Sequence, residues 1–214
     1  LKGSSILRYR SPLKYDRKNY GMLSQILLRG QSIFCPQRKL RLLLEARYRI
    51  MTDLHKGRVV WVTGAASGIG RATVEEILEE GGFAVGSDLP ESDLSWAEGN
   101  ERIAVVTGDV ADPDHNDAAV STALERFGRL DGAVLNAGIA GRDDLFGESM
   151  ELFDRVQEVN VRAVVLGIRS VAKVMRPGSA ITVTASTSGM RGDPGMWVYN
   201  TSKAAVINLV RSAS

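Results

Sequence analysis

The sequence predicts a doubly wound α/β domain, in which helices cover both faces of a parallel sheet. From residue 57 onward, short apolar runs alternate with longer segments in which apolar residues recur at helical spacing. Glycine, proline or aspartate stands at most of the junctions between them. Strands that alternate with helices in this way pair in parallel through right-handed crossovers. We therefore assign residues 57–214 to one such domain.

The first unit combines a strand, a glycine-rich turn and a helix. Arg58–Thr63 is an apolar run that predicts strand one, and Gly70–Glu80 has the periodicity of a helix. Gly81-Gly82 ends that helix, because glycine favours the left-handed conformation found after helix ends. Phe83–Ser87 is predicted to be strand two, and Asp88 follows it.

The second unit begins with a polar segment. Glu91–Glu101 is predicted to be a loop with a short helix, and Ile103–Thr107 is predicted to be strand three. Asp112 and Pro113 suit the N-cap and the first position of a helix. We place that helix at Pro113–Phe127.

Two strands and two helices follow. Leu130–Leu135 is predicted to be strand four, and Ala180–Ala185 strand five. Met150–Met175 forms a long helix between them, which ends before Pro177 because proline cannot continue a helix. The last helix is predicted at Trp197–Ser214.

Charge separates the domain from a basic N-terminal extension, residues 1–56. The extension holds 13 Lys/Arg and 3 Asp/Glu, whereas residues 57–214 hold 14 and 22. We expect it to be disordered or partly helical, with an organelle-targeting peptide or a membrane-surface helix as alternatives. The basic excess is confined to it, so nucleic-acid binding by the domain is not expected. No apolar run is long enough to span a bilayer, and we expect a cytoplasmic protein, or an organelle-targeted one if the extension is a genuine leader.

Metal and disulfide chemistry are not expected. Cys35 is the only cysteine of the sequence, so an internal disulfide or a thiolate cluster cannot form. The two histidines, His55 and His115, lie far apart without ligand-like spacing. We therefore assign no metal site.

The turn after strand one predicts a phosphate-binding site. Glycines let the backbone approach a pyrophosphate, and the N–H groups and dipole of the following helix favour its negative charge. The spacing is Gly-xxx-Gly-x-Gly rather than the Gly-x-Gly-xx-Gly of the usual dinucleotide fingerprint. The candidate cofactor-binding residues of this turn are Thr63, Gly64, Ser67, Gly68, Ile69 and Gly70.

Acidic residues follow strands two and three. A carboxylate at Asp88 can accept hydrogen bonds from the ribose hydroxyls of adenosine and repel a 2′-phosphate, which favours NAD over NADP. An ordinary turn aspartate is the alternative. Asp109 occupies the corresponding position after strand three, and Val110 follows it. We expect these two residues to contact the adenine edge; the alternative for Asp109 is a helix-capping or turn role.

Tyr199 and Lys203 stand at positions i and i+4 of the last helix, and therefore on one face. An ammonium within reach favours the phenolate form of a tyrosine. The pair can then donate a proton to, or take one from, a carbonyl or alcohol oxygen. An isolated pair at this spacing is also common on helix surfaces.

Ser186 and Asn160 are two further polar candidates. Ser186 follows strand five, at the end of the sheet where parallel α/β proteins bind ligands, with Thr187 and Ser188 as rivals. Asn160 lies within the long helix, although asparagine is only a modest helix former. It either relays a backbone carbonyl or water, or faces solvent.

In their order and spacing these motifs resemble the short-chain dehydrogenase/reductase family over about residues 56–214. The resemblance implies a Rossmann-like sheet with strand order 3-2-1-4-5, and NAD(P)-dependent hydride transfer between an alcohol and a carbonyl compound. The matching motifs are Thr63–Gly70, Asn136-Ala137-Gly138, Asn160, Ser186 and Tyr199-xxx-Lys203.

The resemblance also implies a role for each catalytic residue. Tyr199 would be the general acid/base, and Lys203 would favour its phenolate and bind the nicotinamide ribose. Ser186 would hydrogen-bond the reacting oxygen; it is preferred to Ser188 because the family's serine stands three residues before a glycine. Asn160 would support a water-linked proton relay to Lys203. The cofactor-binding residues implied on the adenosine side are Asn136, Ala137 and Gly138.

The sequence departs from the family pattern in two places. Leu135 stands where the family often has a second asparagine. The family also continues beyond the last helix with further strands, whereas this sequence stops at Ser214, so we expect a fragment of an active enzyme with weak or no activity of its own. The helices at Met150–Met175 and Trp197–Ser214 resemble the family's dimer-forming pair, which makes a homodimer plausible.

The predicted substrate is a small-molecule alcohol or ketone. Arg191–Trp197 is expected to border its pocket, with Met196 or Trp197 either touching an apolar substrate or packing within the loop. The alternative function is a non-catalytic dinucleotide-binding protein that senses redox state, or an inactive fragment. A protein that binds the cofactor but shows no turnover dependent on Tyr199 would support the redox-sensing alternative.

Overall fold

The parallel strands form one sheet, and the computed structural model describes residues 53–141 and 150–213. The strands are β1 (Val59–Thr63), β2 (Phe83–Asp88), β3 (Ile103–Thr107), β4 (Gly132–Leu135) and β5 (Ala180–Val183). Their order in the sheet is β3-β2-β1-β4-β5, so the predicted strand order is confirmed. The predictions for residues 1–52 and for Ser214 lie outside the described residues, and the domain boundary at residues 56 and 57 stays a prediction.

Helices connect successive strands, as the alternating pattern predicts. A 3₁₀ turn at Ser95–Ala97 lies in the polar segment between β2 and β3. A π-helical segment at Glu158–Arg162 lies between the third and fourth α-helices. The α-helices are α1 (Gly68–Glu79), α2 (Pro113–Phe127), α3 (Met150–Gln157), α4 (Ala163–Ala172), α5 (Ser188–Arg191) and α6 (Trp197–Ala213).

Several observed elements differ from their predicted bounds: β1, β2 and β4 differ by one or two residues at one end, and three other elements differ for reasons that the structure shows. The long helix expected at Met150–Met175 is continuous from Met150 to Ala172, but its middle, Glu158–Arg162, is π-helical. Asn160 lies in this segment, and its side chain is hydrogen-bonded to the main chain of Ile139. Helix α1 starts at Gly68 rather than Gly70, because the Ser67 carbonyl already accepts the N–H of Arg71. Strand β5 ends at Val183, and the carbonyl of the next residue, Thr184, accepts a hydrogen bond from the Lys203 side chain.

The centre of the sheet is buried on both faces. Val59 and Trp61 pack with residues of α2, α4 and α6, whereas Val60 and Val62 pack with residues of α1. A fully buried valine of this kind contributes roughly 1.5–3 kcal/mol relative to an exposed one. Burial from both sides fixes β1, and with it the glycine turn at its carboxyl end. Within the described residues, every helix is too short or too polar to span a bilayer.

Candidate active site

A cavity of about 700 Å³ opens at the carboxyl ends of the strands. This is the edge of the sheet where parallel α/β proteins bind ligands. Most of the residues that the sequence predicts for the site line this cavity. They are Gly64, Ser67, Gly68, Ile69, Asp88, Asp109, Val110, Asn136, Ala137, Gly138, Ser186, Tyr199 and Lys203.

The glycine turn depends on its glycines for backbone conformation and for close packing. Gly64 has φ +70° and Gly68 has φ +55°, in the region that other residues rarely adopt. A Cβ on Gly70 would lie 1.9 Å from the carbonyl oxygen of Gly64. Gly70 therefore does not line the cavity but lets α1 start directly against the turn.

The first turn of α1 faces the cavity and fits a pyrophosphate. Ser67, Gly68 and Ile69 line the cavity, and the side chain of Ile69 is 67% exposed. The Ser67 hydroxyl makes no capping hydrogen bond within the helix, so it can donate to an anion. The N–H groups and dipole of the helix N-terminus favour the same negative charge.

Thr63 holds three strand ends together from behind the cavity wall. Its Oγ1 accepts hydrogen bonds of 2.9 Å from the backbone N–H groups of Asn136 and Ala137. The Asn136 side chain donates to the Thr63 carbonyl at 3.2 Å and accepts from the Thr184 hydroxyl at 3.1 Å. These hydrogen bonds connect the carboxyl ends of β1, β4 and β5 at the base of the cavity. Thr63 and Asn136 act here as structural braces.

Asp88 lies at the end of β2, with its carboxylate directed to the glycine turn. Its Oδ2 accepts the N–H of Ala66 at 2.9 Å. Its Oδ1 accepts the N–H of Leu89 at 2.8 Å and the hydroxyl of Ser92 at 2.9 Å. The carboxylate is therefore held in place on the cavity wall, where Oδ2, which accepts a single hydrogen bond, can accept another.

Asp109 lies on the cavity wall after β3 and forms an ion pair with Arg155 of α3, which also lines the cavity. One carboxylate oxygen is 2.8 Å from the Arg155 guanidinium, and the other accepts the N–H of Ala111 at 2.8 Å. Partial burial would raise the pKa of Asp109, but the Ala111 N–H and Arg155 outweigh it and hold the pKa below its usual value. Asp109 is a charged acceptor at neutral pH.

Tyr199 and Lys203 both lie on α6 and line the cavity, as their spacing predicts. Lys203 is 4% exposed, and its Nζ lies 5.7 Å from the centre of the Tyr199 ring. Nζ donates a 2.8 Å hydrogen bond to the carbonyl oxygen of Thr184. Burial lowers the pKa of the Lys203 ammonium. The structure therefore brings a half-buried phenol and a desolvated ammonium to the same wall.

Ser186 is distinguished from its rival Ser188 by hydrogen bonding. The Ser188 hydroxyl donates to the carboxylate of Asp193 at 2.7 Å, which commits its proton. The Ser186 oxygen accepts the backbone N–H of Ser188 at 3.1 Å, and its own O–H is left to donate. Of the two hydroxyls, that of Ser186 is thus the one able to donate to a bound oxygen.

Asn160 is fully buried behind the cavity, so the solvent-facing alternative is wrong. Its amide oxygen accepts the N–H of Ile139 at 2.8 Å, and its amide nitrogen donates to the Ile139 carbonyl at 2.9 Å and to Ser202 at 3.0 Å. A Cβ on Gly138 would meet both Asn160 Oδ1 at 3.2 Å and Lys203 Nζ at 3.4 Å. Gly138 thus leaves the space that these two polar atoms share.

The sequence did not single out several lining residues. Thr184 directly follows β5, two residues before Ser186, and this position after a strand is a signal that could have found it. Arg155 lies within a helix, where no sequence pattern marks it as facing the cavity. Met196 lines the cavity, whereas Trp197 stacks on Phe153 at 5.5 Å between ring centres. The lining residues that the sequence did not single out are Leu89, Gly108, Ile139, Ala140, Arg155, Val159 and Thr184.

A family model for short chain dehydrogenases matches residues 58–214. Among curated proteins, the chain is similar to 2-(R)-hydroxypropyl-CoM dehydrogenase of Xanthobacter autotrophicus, with 36% identity over 168 residues that cover 73% of this chain and 67% of that protein. It is also similar to levodione reductase of Leifsonia aquatica, with 36% identity over 168 residues that cover 73% of this chain and 62% of that protein.

Solved structures show the same architecture. A short chain dehydrogenase/reductase from Burkholderia phymatum, in complex with NAD, matches with a TM-score of 0.69 and 33% identity over 74% of this chain and 59% of that one. A short chain dehydrogenase from Burkholderia cenocepacia, in complex with NADP, matches with a TM-score of 0.69 and 30% identity over 74% of this chain and 67% of that one. The chain thus spans between 59% and 67% of the length of these four proteins.

Proposed function

This chain belongs to the short-chain dehydrogenase family, and from that membership we propose that the protein is an oxidoreductase that uses a nicotinamide dinucleotide to interconvert an alcohol and a carbonyl compound. One observation carries the proposal. Tyr199, Lys203 and Ser186 line the same cavity as the glycine turn, which fits a pyrophosphate. A dinucleotide bound through that turn would lie along the carboxyl ends of the strands, towards the Tyr199 wall.

The cofactor would supply a hydride to, or accept one from, the carbon of the substrate. In the reducing direction, Tyr199 donates its phenolic proton to the substrate oxygen as that oxygen gains charge. Ser186 donates a hydrogen bond to the same oxygen and holds the reacting carbon in place. In the oxidising direction, the Tyr199 phenolate takes the proton of the alcohol.

Lys203 and Asn160 support this proton transfer. The buried ammonium of Lys203 would donate a hydrogen bond to a ribose hydroxyl and stabilise the negative charge that forms on the Tyr199 oxygen. We assign to Asn160 the support of a water-linked relay to Lys203. Its amide holds the main chain of Ile139 beside the space that Oδ1 and Nζ share next to Gly138.

We assign NAD as the preferred cofactor. The held carboxylate of Asp88 can accept hydrogen bonds from ribose hydroxyls and repels a 2′-phosphate. Asp109 lies at the end of the adjacent strand, where its carboxylate can accept a hydrogen bond from the adenine amino group. Val110 provides an apolar surface beside it.

The substrate is proposed to be a neutral, apolar alcohol or ketone. Besides Lys203, the described residues that line the cavity with Tyr199 include the apolar Ile139, Ala140 and Met196 and the uncharged hydroxyl of Ser186. Apolar walls with a few polar groups orient uncharged ligands. In an assay of the full-length protein with NAD and a panel of secondary alcohols, we expect NADH absorbance to rise with apolar members. Turnover confined to charged alcohols would contradict this assignment, and no turnover across the panel would overturn the proposed activity.

We also propose a homodimer formed through residues 150–175 and 197–214. Val165 and Leu166 on α4 are only half-buried, and Val210 on α6 is 40% exposed. Apolar side chains left open on neighbouring helices suit burial against a second copy. Sedimentation should show a dimer for the wild-type protein and a monomer for Val210→Glu. A monomeric wild-type protein would contradict the assignment.

We place the protein in the cytoplasm, with import into an organelle as the alternative if residues 1–50 are a genuine leader. Deleting residues 1–50 from a fluorescent fusion tests this choice. An unchanged diffuse distribution supports the cytoplasmic assignment, and a change from organelle to cytoplasm supports the leader.

A further inference from the structure

Asp193 connects the two catalytic side chains of the proposed site. Its carboxylate oxygen Oδ2 accepts a 2.7 Å hydrogen bond from the hydroxyl of Ser188. Its main-chain carbonyl accepts a 2.7 Å hydrogen bond from the side chain of Asn200, the residue after Tyr199. One residue therefore binds both the segment that follows Ser186 and the helix that carries Tyr199.

The Ser188 end of this connection reaches the reacting hydroxyl. The backbone N–H of Ser188 donates to Oγ of Ser186 at 3.1 Å. A serine oxygen has two lone pairs and one proton. This bond occupies one lone pair of the Ser186 oxygen. The second lone pair and the O–H point in other directions, and the Ser186 side chain lines the cavity.

The segment that leads to Asp193 packs closely against α6. A Cβ on Gly189 would lie 2.6 Å from the backbone nitrogen of Ala204, so α5 packs directly on the backbone of α6. The Ser188 hydroxyl, followed by the nearby Arg191 guanidinium, lowers the pKa of the Asp193 carboxyl. The carboxylate is therefore charged at neutral pH and acts as an acceptor for Ser188.

We propose that Asp193 is a positioning residue, which acts through Ser188 to fix the direction of the Ser186 hydroxyl and its distance from Tyr199. This inference rests on the proposed hydride-transfer function. Asp193 does not line the cavity, so it touches neither substrate nor cofactor. Its loss should lower kcat and leave NADH affinity unchanged, because the glycine turn and Asp88 lie on other elements.

The test compares kcat, KM and NADH affinity of the full-length protein with those of Asp193→Ala, Ser188→Ala and the double variant. We expect kcat to fall roughly 10- to 100-fold in each single variant, since a displacement of ~1 Å at a reacting group costs about that much. The kcat of the double variant should be no lower than that of the less active single variant, because both substitutions break the same connection. Asp193→Asn keeps an acceptor oxygen and should restore most of kcat.

The chain contains a matched control pair outside the cavity. The hydroxyl of Ser170 on α4 donates to the carboxylate of Asp117 on α2 at 2.5 Å. Ser170 is 6% exposed and Ser188 is 9% exposed, so the two serines are comparably buried. Asp117→Ala and Ser170→Ala remove the same chemistry and should leave kcat at the wild-type value.

The possible outcomes separate this inference from the function on which it rests. If Asp193→Ala does not fold, the test rests on Ser188→Ala and Asp193→Asn. Unchanged kcat in the Asp193 and Ser188 variants, an equal loss in the control pair, or a parallel loss of NADH affinity would each overturn the positioning role. Wild-type protein without turnover dependent on Tyr199 would instead overturn the proposed function, and the positioning role with it.

Discussion

Arg155 and Asp109 join helix α3 to the loop after β3, with 2.8 Å between the guanidinium and the carboxylate. Both side chains line the cavity. The second carboxylate oxygen accepts the N–H of Ala111 at 2.8 Å. Asp109 is thus held from its own loop and from the facing helix, at the end of the cavity where we place adenine.

Arg155→Met should weaken the binding of NADH and spare that of reduced nicotinamide mononucleotide, which lacks adenine. We expect NADH affinity to fall about fivefold, or ~1 kcal/mol, because the carboxylate loses a charged partner that orients it. The thermal midpoint should hardly change, since an exposed ion pair contributes about 0–1 kcal/mol. Fluorescence titration with both cofactors measures the difference. Arg126→Met, on the exposed surface of α2, is the control, and equal losses for both cofactors would contradict the role assigned to Asp109.

Asp88→Ala should shift cofactor preference towards NADP. Removing the carboxylate removes its repulsion of a 2′-phosphate, and the ratio of kcat/KM for NADP to that for NAD should rise about tenfold. Asp93→Ala removes an exposed acid five residues further along and should leave the ratio unchanged. An unchanged ratio in Asp88→Ala would show that Asp88 does not read the ribose.

Gly70→Ala should destabilise the fold more than any exposed glycine substitution. The new Cβ would lie 1.9 Å from the Gly64 carbonyl oxygen, so the turn and α1 must separate. Overpacking of this kind costs about 1–3 kcal/mol or more. Gly178→Ala, at φ +90° in open space, isolates the cost of backbone conformation alone. Urea unfolding of both variants measures the difference, and equal stability would contradict the close packing.

His115 should make stability depend on pH. Burial lowers its pKa, against the opposing effects of the Thr107 carbonyl, Asp112 and Asp109. As the pH falls below about 6.5, the unfolded chain takes up a proton before the folded one, so the free energy of unfolding falls by at most about 1.4 kcal/mol per pH unit. Urea unfolding at about pH 7.5 and about pH 5.5 should show a smaller loss for His115→Gln than for the wild-type protein. Equal losses would mean that His115 titrates alike in both states.

The order of strands and helices could be predicted because it depends on local patterns. The bounds of α2 agree with the prediction, since Asp112 caps the helix through the N–H of Asp114 and Pro113 follows it. The π-helical segment around Asn160 could not be predicted, because Asn160 is hydrogen-bonded to Ile139, a residue of another segment.

The candidate site follows the same division. Tyr199, Lys203 and Ser186 stand in motifs whose spacing places them on one helix face or at a strand end. Arg155 and Asp193 have no such motif, because their importance comes from partners that the fold brings together. The sequence therefore predicted the side chains proposed to do the chemistry, but not those that hold them in place.

The most direct test of the proposed function compares the full-length wild-type protein with Tyr199→Phe, using the best alcohol of the panel and NAD. We predict that kcat falls about 10²- to 10⁴-fold while NADH affinity stays at the wild-type value, because the phenolic proton is lost and the cofactor site is not. Thr201→Val, which removes a hydroxyl from the same helix outside the cavity, should keep wild-type kcat. Equal turnover by the wild-type protein and Tyr199→Phe would contradict the account.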